Sequence, residues 1–219
     1  MKKALVVLSG GQDSTTCLYW TKKHFAEVHA ITFDYGQRHR TELAAAVAIA
    51  TSAGVASHET LDLTSFGRVA KSSLTDHARP VTADGGHRNL PSTFTPGRNL
   101  VFLTVAASHA ISLGAETLVT GVCQTDYSGY PDCREDTIKA LEIAIRLGND
   151  LPGFAILTPL MHMTKADSVR LAMAMPGCLE ALAASVTCYH GTRCGTCPAC
   201  SLRAKGFQEA GVNDPAIRG

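Results

Sequence analysis

"VVLSGGQDSTTCL", residues 6–18, decides how this chain is read. The apolar run "ALVVL" (4–8) enters two glycines and leaves into hydroxyls grouped around Asp13. A short apolar run of this kind suits a buried strand, and the segment from about Ser14 to His24 suits a helix. Gly10 and Gly11 let the backbone turn tightly with its N–H groups pointing inward. The helix that follows carries partial positive charge at its N-terminus. Ser9, Ser14, Thr15 and Thr16 add hydroxyl donors. Such a strand–turn–helix is an anion cradle. It is neither the usual triphosphate loop, whose second glycine, lysine and spacing are missing, nor the dinucleotide fingerprint, whose third glycine is missing.

The same alternation continues outward. "VHAITF" (28–33), "HETLDL" (58–63), "ETLVTG" (116–121) and "AILTPL" (155–160) read as further strands. Helical segments separate them: 41–54, closed by Gly54, then 98–114, the amphipathic 134–148, and 164–174, capped by Thr164. From Lys71 to Gly97 the pattern dissolves into Pro, Gly, Thr and charge, and a long loop or lid is expected. Strands alternating with helices imply right-handed βαβ units. The expected fold is therefore a Rossmann-like, doubly wound parallel α/β sheet, whose ligands bind beyond the carboxyl ends of the strands. Residues 1–185 are expected to form the nucleotide-binding domain. Residues 186–219 should form a small cysteine-rich segment packed on it.

Composition narrows the function. The 219 residues carry 20 basic and 19 acidic side chains, a net charge of +1, which gives no field for gathering nucleic acid. The longest apolar stretch is interrupted by Ser108 and His109, and "ALVVL" is too short for a signal h-region, so a cytoplasmic protein with no membrane partner is expected. Of eight cysteines, four cluster as Cys188-x5-Cys194-x2-Cys197-x2-Cys200. Four thiolates on one short segment suit a closed, tetrahedral, structural zinc site. The iron–sulfur run of ferredoxins places its fourth cysteine after the run with proline next; here the fourth precedes it and Pro198 lies inside.

The string Ser-Gly-Gly-x-Asp-Ser (9–14) resembles the pyrophosphate loop of the ATP pyrophosphatase superfamily, whose fold is of the adenine nucleotide alpha hydrolase type. Further stretches narrow the resemblance: "FDYGQRH" (33–39), "PGRN" (96–99), "GVCQTDYSGYPDCR" (121–134), "TPLMHMTKAD" (158–167), "TCYHG" and "CGTCPACSLRAKGF". Together, from about Leu5 to Phe207, they are similar to the 7-cyano-7-deazaguanine synthase family of queuosine precursor synthesis. The loop between Cys188 and Cys194 is shorter than in many members.

The resemblance implies an ATP- and magnesium-dependent ligase that joins ammonia to the carboxyl group of 7-carboxy-7-deazaguanine and ends at the nitrile. It implies ATP contacts along Leu8, Ser9, Gly10, Gly11, Gln12, Asp13, Ser14, Thr15, Thr16, Cys17 and Leu18. Asp34, after the second strand, is expected near the ribose or adenine. Catalytic roles fall to Asp13, Ser14 and Lys165. Lys165 is read either as a second phosphate contact or as a solvated surface lysine, and Arg98 has the same two readings. Asp13 is read as a magnesium ligand or as a cap on the loop's own N–H groups. For the guanine-like face of the substrate, Asp126 and Asp132 offer paired acceptors and Tyr127 and Tyr130 offer stacking. The family resemblance also implies a homodimer. The scattered Cys17, Cys123, Cys133 and Cys178 read as reduced structural thiols.

Overall fold

The computed structural model describes residues 2–76, 78–81, 90–125 and 130–217. Five parallel strands form one sheet in the order β3-β2-β1-β4-β5. They are β1 (Lys3–Val7), β2 (Glu27–Asp34), β3 (Ser57–Asp62), β4 (Thr117–Val119) and β5 (Ala155–Leu157). At the centre of the sheet, Leu5 of β1 is in register with His29 of β2 and Leu118 of β4. The chain winds outward from β1 to β3, then returns and continues through β4 to β5 on the other side. The order therefore reverses between β1 and β4, and the crevice beyond their carboxyl ends is where an open α/β sheet binds its ligand.

Period-two alternation explains why helices cover both faces. On one face, Leu5, Ile31, Phe33 and Leu118 pack with Phe102, Leu103 and Ala106 of α4 (Arg98–Ser112) and Ile138 and Ile145 of α5 (Glu135–Gly148). On the other, Ala4, Val6, Val28 and Ala30 pack with Cys17 and Leu18 of α1 (Gln12–His24) and Ala46, Ile49 and Ala50 of α2 (Thr41–Ala53). Small side chains on α2 let that helix lie close to the sheet, and it ends in a left-handed Gly54 as the sequence predicts.

Two parts of the fold differ from the sequence-based expectation. A short helix, α3 (Thr64–Val69), follows β3 ahead of the irregular region. The cysteine-rich segment contains a helix that the sequence reading does not place. It leads into the 13-residue α8 (Pro198–Ala210), which has Cys197 as N-cap, proline in its first turn and a left-handed Gly211 at its end. α8 packs with α6 (Lys165–Met173) and α7 (Cys178–Ala181) around Val169, Met175, Leu182 and Phe207. The expected cap of α6 is present as a reciprocal pair: Thr164 Oγ1 accepts from Asp167 N–H, and the Asp167 carboxylate accepts from Thr164 N–H. Within the described residues no helix is long and apolar enough to cross a membrane.

Candidate active site

A cleft of ≈ 1110 Å³ opens at the reversal point of the sheet. Leu8, Ser9, Gly11, Gln12, Asp13 and Ser14 line it, with Thr120 and Gly121 from beyond β4. Arg98 and Tyr130 also line it, and Lys165 comes from the start of α6.

The loop between β1 and α1 is built by short-range hydroxyl bonds. Ser14 Oγ accepts the N–H of Ser9 at 3.1 Å and lies 3.0 Å from Ser9 Oγ, which in turn accepts the N–H of Gly11 at 3.3 Å. α1 begins at Gln12, two residues earlier than its apolar pattern suggests. Its first turn has N–H groups with no acceptor inside the helix, and residues 11–14 line the cleft, so the loop can receive an anion. Two close approaches hold the loop. Gly10, at φ +85°, lies so near α2 that a Cβ there would sit 2.2 Å from the Glu42 carbonyl oxygen. Gly121 approaches from the β4 side, where a Cβ would meet the backbone of Asp13 and Ser14 at 3.0 Å. The N–H of Val186 donates to the Gly10 carbonyl at 2.9 Å and ties the carboxyl-terminal segment to the loop.

Asp13 and Lys165, 152 residues apart, meet across the loop. Lys165 Nζ donates to both carboxylate oxygens, at 2.9 and 2.7 Å. The lysine side chain is only 11% exposed. That disposes of the reading of Lys165 as a solvated surface side chain. Its stem runs against Gly206 of α8, where a Cβ would lie 2.5 Å from Lys165 Cγ.

The remaining expected residues fall in different places. Thr15 and Thr16 spend their hydroxyls on the carbonyls of Gly11 and Gln12, at 2.8 and 3.0 Å. With Cys17 and Leu18 they are wholly buried and are not among the residues that line the cleft. Burial pushes the Cys17 thiol well up, which suits an inert structural thiol. Asp34 accepts the N–H of Gly36 at 3.1 Å and is ion-paired with Arg40. Asp126 and Tyr127 lie outside the described residues. Asp132 is 5% exposed and accepts the N–H of Asn99 at 3.0 Å, at the start of α4. Asp132, which the sequence reading offers to the guanine-like face of the substrate, thus sits at a helix N-terminus and is not among the residues that line the cleft. Tyr130 does line the cleft. Its hydroxyl is bonded to Thr93 and its ring lies 5.8 Å from the Arg98 guanidinium. Burial opposes the charge on Arg98, but Tyr35, Tyr130, Asp132 and Cys133 around it raise its pKa above the ordinary value. Arg98 is therefore a fixed internal cation at the cleft.

Sequence reasoning passed over Tyr35, Gln37, His39 and Glu42. The signal was available in "FDYGQRH", which carries too many polar groups for a simple strand end. It also passed over Arg203. That side chain is 7% exposed, ion-paired with Asp214 at 2.8 Å, and donates to the carbonyls of Leu182 and Ser185.

The cysteines converge as expected. Sγ atoms of Cys188, Cys194, Cys197 and Cys200 all lie within 4.8 Å of one another. Tetrahedral Zn–S bonds of about 2.3 Å place sulfurs about 3.8 Å apart, so only a small contraction separates this set from a closed zinc site. The N–H and hydroxyl of Thr196 and the N–H of Cys197 hold the Cys194 thiol down at about 5, in the thiolate range. The donor set fits a structural zinc with no open position.

Fold and site together define a protein of the PP-loop class with a four-cysteine cluster that could hold a metal. The family described as "Queuosine biosynthesis protein QueC" matches residues 3–211, and the chain belongs to that family. It is 56% identical over 223 residues to the 7-cyano-7-deazaguanine synthase of Chromobacterium violaceum, covering 99% of this chain and 93% of that protein. It is likewise 56% identical over 217 residues to the 7-cyano-7-deazaguanine synthase of Laribacter hongkongensis, covering 98% and 93%. Solved structures share the fold at low identity. A predicted subunit of tRNA methyltransferase from Methanocaldococcus jannaschii superposes with TM-score 0.53 at 22% identity, over 79% of this chain and 75% of that one. A 4-thiouridine synthetase in complex with RNA and bound ATP gives TM-score 0.52 at 17% identity, over 96% and 50%.

Proposed function

We propose that this chain is an ATP-dependent carbon–nitrogen ligase of queuosine biosynthesis, converting 7-carboxy-7-deazaguanine and ammonia to the nitrile. The observation that carries the reading is the Ser-Gly-Gly loop at the sheet's reversal point, opening with Asp13 and Lys165 into one cleft. Ammonia does not displace oxygen from a carboxylate. Adenylation turns that oxygen into a leaving group, and pyrophosphate departs into the cradle at residues 9–14. Ser14 and the first-turn N–H groups of α1 take the phosphate oxygens. Lys165 serves as their counter-cation, exchanging Asp13 for the phosphates. Magnesium, when bound with ATP, supplies further charge compensation, and Asp13 is the carboxylate placed to hold it.

One round removes one oxygen and gives a primary amide. The amide oxygen is again a poor leaving group, so a second adenylation and the loss of two nitrogen protons give the nitrile. Only one Ser-Gly-Gly-x-Asp-Ser string occurs in the chain, so one site serves both rounds. Asp34 is proposed for the ribose or adenine. Tyr130, with Asp126 and Tyr127, is proposed for the deazaguanine ring, and Asp132 for holding the start of α4 beside it. Residues 186–217 act as a metal-stapled clamp on the nucleotide-binding body. The reading includes a cytoplasmic homodimer that binds no nucleic acid. The near-zero net charge supports the last point, and the exposed Val47 of α2 and Leu100 of α4 offer apolar contact to a second copy.

The test is stoichiometric. With acid, ammonia and MgATP, mass spectrometry should find two AMP and two pyrophosphate per nitrile. The synthetic amide should be converted without added ammonia at half that ATP consumption. An inert amide alongside turnover of the acid refutes the two-round scheme.

A further inference from the structure

The junction of β2 and α2 carries a polar assembly that the adenylation chemistry leaves unused. His39 is 7% exposed and lines the cleft, and its Nδ1 is buried with no hydrogen-bond partner among the described residues. Its other ring nitrogen, Nε2, lies 3.4 Å from Glu42 Oε2. Glu42 is held in turn: Gln37 Nε2 donates to Glu42 Oε1 at 3.2 Å. Gln37 is fixed by the N–H of Tyr35, which donates to its Oε1 at 2.9 Å, and by donating to the Phe33 carbonyl at 3.2 Å. A carboxylate facing Nε2 keeps the imidazole proton on that nitrogen and leaves Nδ1 with a free lone pair. A buried acceptor without a donor is destabilising, so such atoms in a native fold call for a reason. The assembly also touches the phosphate loop, through the close approach of the Glu42 carbonyl to Gly10. The Tyr189 ring lies 6.0 Å from the imidazole on the side of the cysteine-rich segment.

We propose that His39 Nδ1, with Glu42 behind Nε2, is the base that takes protons from nitrogen in the ammonia-consuming half of the reaction. The inference rests on the ligase reading above. Attack of the ammonia lone pair on the acyl adenylate forms the C–N bond and moves the C=O pair onto oxygen. The nitrogen is then cationic, and His39 accepts one of its protons. The oxygen pair re-forms C=O, the C–O bond to the adenylate breaks, and AMP leaves with that pair. In the second round the amide oxygen is adenylated and pyrophosphate leaves. His39 takes one N–H proton to give the neutral imidate. His39 passes that proton to water and then takes the second N–H proton, the N–H pair forming the third C–N bond as the C–O bond to AMP breaks and AMP leaves with its pair, which gives C≡N. Other groups in the cleft are less suited. Asp13 is engaged by Lys165 here and is assigned to magnesium once the lysine turns to the phosphates, and burial pushes the Tyr35 phenol up to about 12, so it stays protonated at neutral pH.

The test separates adenylation from amination in full-length His39→Ala and Glu42→Gln. Acid-dependent exchange of pyrophosphate into ATP reports adenylation, and amide formation from ammonia reports amination. Exchange should stay close to the unaltered rate, whereas amide formation falls by about 100-fold or more in His39→Ala, and less in Glu42→Gln. Hydroxylamine, whose nitrogen loses its proton to water far more readily than ammonium does, should trap the adenylate as hydroxamate and recover most of the lost rate. Glu42→Gln, nearly isosteric, carries the test if His39→Ala does not fold. Unchanged amide formation overturns the assignment. So does exchange that falls in step with amide formation, which would make His39 an ATP contact or a packing residue. Absence of acid-dependent exchange in the unaltered protein refutes the ligase reading itself, and the base assignment with it.

Discussion

Replacing Gly10 with alanine should damage the site in a way that a second glycine, used as a control, isolates. Gly10 sits at φ +85°, and an added Cβ would meet the Glu42 carbonyl oxygen at 2.2 Å and the Ala46 nitrogen at 2.9 Å, both backbone atoms of α2. Left-handed backbone costs a non-glycine residue about 1–2 kcal/mol. Overpacking adds about 1–3 kcal/mol, because neither backbone atom can rotate away. The expected loss of stability is therefore about 2–5 kcal/mol. To reach an ordinary contact the loop or the first turn of α2 must move by about 1 Å, a displacement that can cost about 100-fold in rate when it misplaces reacting groups. Gly54, at φ +64°, would place its Cβ in open space. Gly54→Ala should carry the conformational cost of about 1–2 kcal/mol alone, with normal turnover. Urea unfolding and pyrophosphate release, measured on both variants, read the difference. Equal stability and equal pyrophosphate release in the two variants would refute the claim that close packing of α2 on Gly10 shapes the phosphate cradle.

Lys165→Met and Asp13→Asn should each slow pyrophosphate release by about 100-fold or more, and the double variant should lose little beyond either one, because the pair acts as a unit; near-normal release in both single variants would sink their catalytic assignment. The protein should carry one zinc per chain, colourless in solution, and Cys197→Ser should lose the metal and unfold at lower temperature, since structural zinc contributes folding energy; metal analysis finding iron with sulfide would reverse this. Asp214→Ala should cost about 3–5 kcal/mol by leaving the buried Arg203 unpaired. Burial would raise the Asp214 pKa, but the Arg203 hydrogen bonds and charge outweigh it and lower it, so its stabilisation is complete above the unfolded carboxylate value of about 3.9 and is lost as pH falls through the lower folded value. Denaturation followed from neutral pH into that range should show a flatter acid slope in Asp214→Ala than in the unaltered chain.

What the residues settled alone is whatever follows from local pattern. Runs such as "ALVVL" and "VHAITF" are read directly as strands, because a sheet covered on both faces favours apolar side chains, the buried His29 and Thr32 being hydrogen-bonded. The Thr164 cap and Gly54 stop follow from backbone groups that the helix itself cannot satisfy. The Cys188–Cys200 spacing marks four thiols on one short segment, and the fold brings their sulfurs within 4.8 Å of one another. Ser-Gly-Gly-x-Asp-Ser marks the phosphate loop in the same local way. Side-chain direction and long-range pairing were decided only by the tertiary structure. Thr15, Thr16, Cys17 and Leu18 lie in the motif, but the sheet on one side of α1 and α6 and α7 on the other bury all four, away from the cleft. Asp132 looks like a base-reading carboxylate in sequence, yet the start of α4, 33 residues earlier, claims it. Lys165 reaches Asp13 across 152 residues only because β4, β5 and α6 return the chain to the reversal point of the sheet. His39, Glu42 and Gln37 become one assembly only when β2 and α2 fix their angles. Spacing along a chain specifies local geometry. Which distant groups share one low-dielectric cleft is set by how the core packs.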